Sequence, residues 1–175
     1  MSAFFYGTLM HPEILKRVIG NDGSHLYICP AVLLEFTRHR IKGADYPGIV
    51  PYATGLRVLF DDELDRKACS VRGTMVTGLT ASDIALLDTF EGDEYTKKTV
   101  HLHPLAELVA LADHKMTVSA PATPLPPDAE LRAPVEVDTY VYNDISALMR
   151  DVWDFDDFVA KNAWKWYGPG ARARG

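Results

Sequence analysis

The sequence predicts an α+β domain in which strands carry most of the chain and helices are few. Three observations lead there. Runs rich in Val, Leu, Ile, Phe and Thr, bounded by Gly, Pro, Asn and Asp, recur along the chain. Helix signals are confined to three stretches, Pro12 to Ile19, Thr80 to Phe90 and Ala147 to Tyr167. With 175 residues, 47% of them hydrophobic and 24% charged, the chain can bury one sizeable core but is too short for two comfortable domains.

Ala3 to Tyr6 is an apolar, aromatic run suited to a buried strand, and it meets a turn at Gly7. Pro12 then fits a first helical position, where its missing N–H costs nothing. The Gly20-Asn21-Asp22-Gly23 turn leads into Leu26 to Lys42, one long β-prone run. Its end, Arg38-His39-Arg40-Ile41-Lys42, alternates like a strand with a solvated face. Tyr46 to Pro51 reads as a turn and a short extended piece. Leu56 to Phe60 and Ser70 to Leu79 read as a strand pair around the acidic loop Asp61 to Lys67, with Val71, Gly73, Met75 and Thr77 on one side of the second strand.

Thr80 and Asp83 have capping-box spacing for the next helix, and Gly92 is placed to end it in a left-handed turn. Tyr95 to His103 and Val135 to Tyr142 alternate as strands. Between them, residues 119–134 hold five of the eleven prolines, which predicts an inserted surface loop with no regular element. Ala147 to Tyr167 is amphipathic, with Trp153, Phe155, Phe158, Trp164 and Trp166 available to cover the sheet. The expected organisation is one domain over residues 1–167 with a flexible tail at 168–175.

A net charge of −6 argues against a nucleic-acid or anionic-membrane surface as the main partner. Cys29 and Cys69 form neither a disulfide framework nor a metal pattern, which points to a reducing compartment. The apolar opening is too short for a signal peptide or a membrane span, so a cytoplasmic protein is expected.

Two features carry chemistry. Phe5-Tyr6-Gly7-Thr8-Leu9 puts a glycine turn between a strand and a helix start, where the N–H groups of Gly7, Thr8 and Leu9 can converge on an anion. Without a Gly-rich run and Lys, a carboxylate fits better than a phosphate; an ordinary strand-to-helix turn is the other reading. Glu91 falls on a helical wheel between Ile84 and Leu87, inside an arc completed by Leu86 and Phe90. In the last turn the helix dipole disfavours an anion by about 0.3–1 kcal/mol, and Asp88, Asp93 and Glu94 are close in sequence. Desolvation, dipole and like charge should all raise its pKa, which is how a carboxylate becomes a general base near neutral pH. The alternative is a helix that frays before Glu91 and lets the side chain reach water. Together the two features describe an acid–base site that needs no metal or cofactor.

The motifs Phe5-Tyr6-Gly7-Thr8-Leu9, Tyr46-Pro47-Gly48-Ile49, Val71-Arg72-Gly73, Leu87-Asp88-Thr89-Phe90-Glu91-Gly92-Asp93-Glu94-Tyr95 and Asp138-Thr139-Tyr140-Val141-Tyr142 resemble, in order and spacing over residues 3–142, the γ-glutamylcyclotransferase-like superfamily in its AIG2-like branch. The resemblance implies a compact mixed β-barrel with flanking helices and an enzyme that cyclises a γ-glutamyl group to release 5-oxoproline and a free amine. It places the catalytic glutamate on Glu91, substrate binding on Tyr6, Gly7, Thr8 and Leu9, and site tyrosines on Tyr95 and Tyr140. Residues 119–134 exceed what the family core requires. A binding or interaction module that kept the pocket and lost turnover is the rival from another class.

Other constellations read as structure. His101 and His103 share a strand face at a metal-compatible spacing, but no third ligand is identifiable. Asp154, Asp156 and Asp157 read as the wet side of a helix opening. Ser70, Ser146 and Cys69 lack a neighbouring His–acid pattern, which leaves nucleophilic catalysis without support.

Overall fold

The computed structural model describes residues 1–44, 46–55, 69–114, 126–149 and 160–161. The described residues hold eight strands: β1 (Ala3–Phe5), β2 (Tyr27–Leu34), β3 (Phe36–Arg40), β4 (Pro47–Pro51), β5 (Ser70–Thr77), β6 (Tyr95–Pro104), β7 (Val109–Ala110) and β8 (Val135–Tyr142). Helices α1 (Pro12–Ile19), α2 (Tyr52–Gly55) and α3 (Ala81–Glu91) connect them. The sheet order β5-β1-β8-β6-β2 closes on itself through β2–β5 pairing, giving a five-stranded barrel; β7 extends β2, and β3–β4 form a separate antiparallel pair.

Barrel closure rests on two long antiparallel ladders. One runs from Tyr27↔Thr77 to Leu34↔Ser70, the other from Tyr95↔Tyr142 to Leu102↔Val135. The short β1 bridges them, antiparallel to β5 and parallel to β8 at Ala3↔Asp138. Gly73 permits this crossing, because a Cβ there would run into the Phe5 carbonyl oxygen and the Phe4 ring. Alternation along β1 separates the core into two clusters. Ala3 and Phe5 pack with Leu15 and Ile19 of α1 and Leu87 of α3, while Phe4 and Tyr6 pack with Leu33, Val71, Met75 and Leu102.

Both long helices obey local rules. His11 caps α1 by accepting the Glu13 N–H on Nδ1, Pro12 opens the first turn, and Gly20 (φ 72°) closes it in the left-handed conformation. The Thr80/Asp83 capping box of α3 is complete. Gly92 does end α3, but at φ 68° and ψ −160° it is not left-handed helical, and a 3-10 turn follows over Gly92–Glu94.

Four further expectations need correction. The run from Leu26 to Lys42 is two strands, broken at Glu35 (φ 64°), whose N–H donates to the Cys69 carbonyl and whose carbonyl accepts from the Tyr52 N–H. Leu86 is 42% exposed and is no part of the buried face of α3, whereas Asp83 is 2% exposed. Ala147 does not open a helix: it closes a 3-10 turn over Ile145–Ala147, after which Leu148 bridges to Ile41. Within the proline-rich stretch, Asp128–Glu130 form one 3-10 turn, and the Arg132 carbonyl accepts from His103 Nδ1 at 2.7 Å. The expected strand Leu56 to Phe60, the loop Asp61 to Lys67, residues 119–125, the aspartates Asp154, Asp156 and Asp157 and most of the 147–167 segment and tail lie outside the described residues.

Candidate active site

The site forms where β1, the turn after it and the end of α3 meet. Past Phe5 the backbone turns at Gly7 (φ −132°, ψ −133°) into a 3-10 turn over Thr8–Met10 and then α1. The leading N–H groups of such a turn have no acceptor inside it. A Cβ on Gly7 would stand 2.8 Å from the Pro47 ring, so glycine is required here by the approach of β4 and not by a left-handed backbone. The Tyr6 hydroxyl donates to the Tyr140 carbonyl at 2.6 Å, tying the turn to β8. Arg38 of β3 donates to the carbonyls of Tyr6 (2.7 Å) and Arg72 (3.1 Å), which sets a half-buried cation behind the turn.

Glu91 closes α3 and is half-buried. It shares one cleft with Tyr6, Gly7, Thr8, Leu9, Tyr95 and Tyr140; Phe4, Phe5, Tyr46 and Pro47 complete the walls, around about 320 Å3 of empty space that is partly open to solvent. All seven residues singled out in the sequence therefore line a common cavity. Tyr95 is buried, stacks edge-on against Tyr142 with ring centroids 5.2 Å apart, and gives its one hydroxyl proton to the Pro47 carbonyl at 2.7 Å. It acts as a wall that fixes Pro47. Tyr140 donates its hydroxyl to Asp88 Oδ1 at 2.8 Å. Burial first, then the bond to Asp88 and the charges of Asp88, Glu91 and Asp138, push the Tyr140 phenol far above its ordinary pKa, so it stays protonated. At the rim, Tyr46 donates to Glu94 Oε2 at 3.3 Å.

Sequence reasoning missed three contributors. Asp88 counted only as a like charge near Glu91, although its i, i+3 spacing already put both on one helix face. Arg38 read as a solvated strand residue; only the packing of β3 against β5 and the turn reveals its carbonyl partners. Tyr46 belonged to a motif without a role. His101 lies 3.6 Å from Glu136, and His103 is held by Arg132. Among the described residues no group of three or more His, Cys, Asp or Glu is placed to hold a metal ion. Cys29 and Cys69 are buried and are not joined in a disulfide. No described helix is long and apolar enough to cross a membrane, which says nothing of strands.

Comparison with known proteins bears on the family and the fold. The family described as gamma-glutamyl cyclotransferase, AIG2-like, matches residues 3–164. AIG2-like protein C of Arabidopsis thaliana is 34% identical over 99 residues, covering 57% of this chain and 48% of that protein. Protein AIG2 C of the same plant is 24% identical over 165 residues, covering 94% and 75%. The chain thus spans about half the length of several curated relatives it matches. Among solved structures, one of an Arabidopsis thaliana protein in solution superposes with a TM-score of 0.55 at 23% identity, covering 94% of this chain and 76% of that one. A yeast gamma-glutamyl cyclotransferase specific to glutathione gives 0.54 at 16%, covering 85% and 72%. The closed five-stranded barrel with its helices is the fold of these neighbours, and with the family match running across nearly the whole sequence, this chain belongs to the gamma-glutamyl cyclotransferase, AIG2-like family.

Proposed function

We propose that the protein cyclises the γ-glutamyl group of a small γ-glutamyl peptide or amine, releasing 5-oxoproline and the free amine. The observation that carries this reading is that one cleft is lined both by the Gly7 to Leu9 turn and by Glu91 with Tyr140. The turn brings backbone N–H groups, with the Arg38 cation held on the Tyr6 carbonyl, and Glu91 brings a carboxylate whose charge is felt by Tyr140. A zwitterionic α-amino acid head group has the complementary polarity. Its carboxylate would sit on the turn and its ammonium beside Glu91.

The chemistry follows from that pose. Glu91 takes one proton from the α-ammonium, and the freed amine attacks its own γ-carbonyl carbon to form the ring C–N bond. The tetrahedral carbon then expels the departing nitrogen, which takes the proton that Glu91 returns to it, and the second proton of the ring ammonium passes to the released amine, leaving the lactam N–H and an ammonium product. Because ring closure is intramolecular, the protein has to hold the reactive conformer and relay protons from the α-nitrogen to the departing one, the latter worth about 10²- to 10⁴-fold. No metal is called for by these steps.

The test is incubation with a panel of γ-glutamyl dipeptides, glutathione and γ-glutamyl amines, with 5-oxoproline quantified by mass spectrometry. Release from at least one compound that disappears in Glu91→Gln supports the proposal. Binding without release assigns the rival, a non-catalytic module, and neither binding nor release removes both.

A further inference from the structure

Asp88 is held by two residues that the barrel places side by side. Lys97 and Tyr140 are direct partners across the β6–β8 ladder, and directly opposed residues project from the same face of a sheet. Both reach over to α3 and land on the two oxygens of one carboxylate: the Tyr140 hydroxyl donates to Oδ1 at 2.8 Å, and Lys97 Nζ donates to Oδ2 at 3.0 Å. Asp88 is three residues before Glu91 on the same helix face, so the clamped carboxylate and the proposed base are neighbours.

We infer that Asp88 is a positioning residue: by taking the Tyr140 hydroxyl proton, with Lys97 fixing its other oxygen, it leaves the phenolic oxygen with only lone pairs to present to the cleft, where that oxygen accepts from the substrate's α-ammonium beside Glu91. A tyrosine has one O–H to donate and two lone pairs to offer, and the direction of its proton decides which it shows a ligand. Were the proton turned toward Glu91, the ionised carboxylate would be stabilised and made a weaker base, and the ammonium would lose an acceptor. Burial and the surrounding carboxylates keep Tyr140 protonated, so the choice is between two directions of one proton and not between phenol and phenolate. The inference rests on the cyclotransferase reading.

The experiment compares the intact protein with Asp88→Asn, Tyr140→Phe and the double variant, on a γ-glutamyl compound that the parent turns over, from pH 5 to 9. Binding of glutaramate, which lacks the α-ammonium, is measured alongside. Each single variant should raise KM about tenfold, the size of one charge-assisted hydrogen bond, while leaving glutaramate affinity within about twofold. The double variant should be no worse than Tyr140→Phe alone. Asp88→Asn should also move the acid limb of the kcat/KM profile to lower pH, because the released hydroxyl then donates to Glu91, whereas Tyr140→Phe should not. An unchanged KM in Asp88→Asn, losses that multiply in the double variant, or an equal loss of glutaramate binding each overturn the inference and leave the cyclotransferase reading standing. If Asp88→Asn does not fold, Tyr140→Phe decides alone, with an unchanged KM overturning. Absence of 5-oxoproline release by the parent from every compound overturns both.

Discussion

Replacing Glu91 by Gln keeps the side chain's shape and removes the group that would carry the proton. We expect kcat/KM to fall by about 10²- to 10⁴-fold. The melting temperature at pH 7 should stay within a few degrees, since Glu91 is half-buried at a helix end and Gln can keep its neutral contacts. Melts by circular dichroism beside the 5-oxoproline assay separate the two effects; a large drop in stability would make Glu91 a structural acid. Gly7 is a second residue-scale test. Its absent Cβ would meet the Pro47 ring at 2.8 Å, and the Pro47 carbonyl is tethered to Tyr95, so the ring has little room to retreat. Gly7→Val should abolish substrate binding by calorimetry and cost about 1–3 kcal/mol in urea unfolding. That Gly7 matters was legible from its place between strand and helix. That a proline forty residues away is the reason was not, because nothing local links the two.

At the scale of elements, α3 depends on one buried carboxylate. Asp83 N–H donates to Thr80 Oγ1, and the Asp83 side chain accepts from the Thr80 N–H (3.0 Å) and Asn21 Nδ2 (3.0 Å) and pairs with His25 Nε2 (2.7 Å). Burial by itself would raise the Asp83 pKa, but His25, the Thr80 N–H, Asn21 and the Thr80 hydroxyl together hold it below its ordinary value of 3.8. A folded pKa below the unfolded one means that stability is fully present above about pH 4 and is lost as pH falls through the folded value. The parent should therefore melt progressively lower between pH 4 and pH 2. Asp83→Asn should be less stable by about 1–3 kcal/mol at pH 7 yet flatter across the acid range. Thermal melts from pH 2 to 7 check this; equal acid slopes would remove Asp83 from the account. The capping box, Pro12 and Gly20 were readable because caps depend on residues three or four apart. The break at Glu35 was not, since its positive φ is stabilised by Cys69 and Tyr52, which come from other parts of the chain.

For the whole molecule, closure of the barrel sets the hierarchy of stability. β5 is paired on both sides, with β1 and with β2, while β7 is a two-residue edge on β2 alone. In hydrogen exchange, the amides of Ser70–Thr77 should open only with global unfolding, and those of Val109–Ala110 should exchange orders of magnitude faster. Comparable protection in the two strands would contradict the closed sheet. Because β1 pairs with β8 at Ala3↔Asp138, ends distant in sequence must meet before the barrel forms, and folding should take milliseconds to seconds in stopped-flow fluorescence.

The sequence by itself determined the strand-rich class, the bounds of α1 and β8, the capped start of α3, and seven of the residues that line the cleft, since each rests on local periodicity, turn chemistry or an ordered motif. Only the tertiary structure decided that the sheet closes, that Tyr95 spends its hydroxyl on Pro47, that Arg38 stands behind the turn, and that Asp88 takes the proton of Tyr140. The physical reason is that a hydrogen bond's direction and a charge's partner are set by groups brought together across the sheet, and alternation along a strand says which face a residue shares but not who waits there.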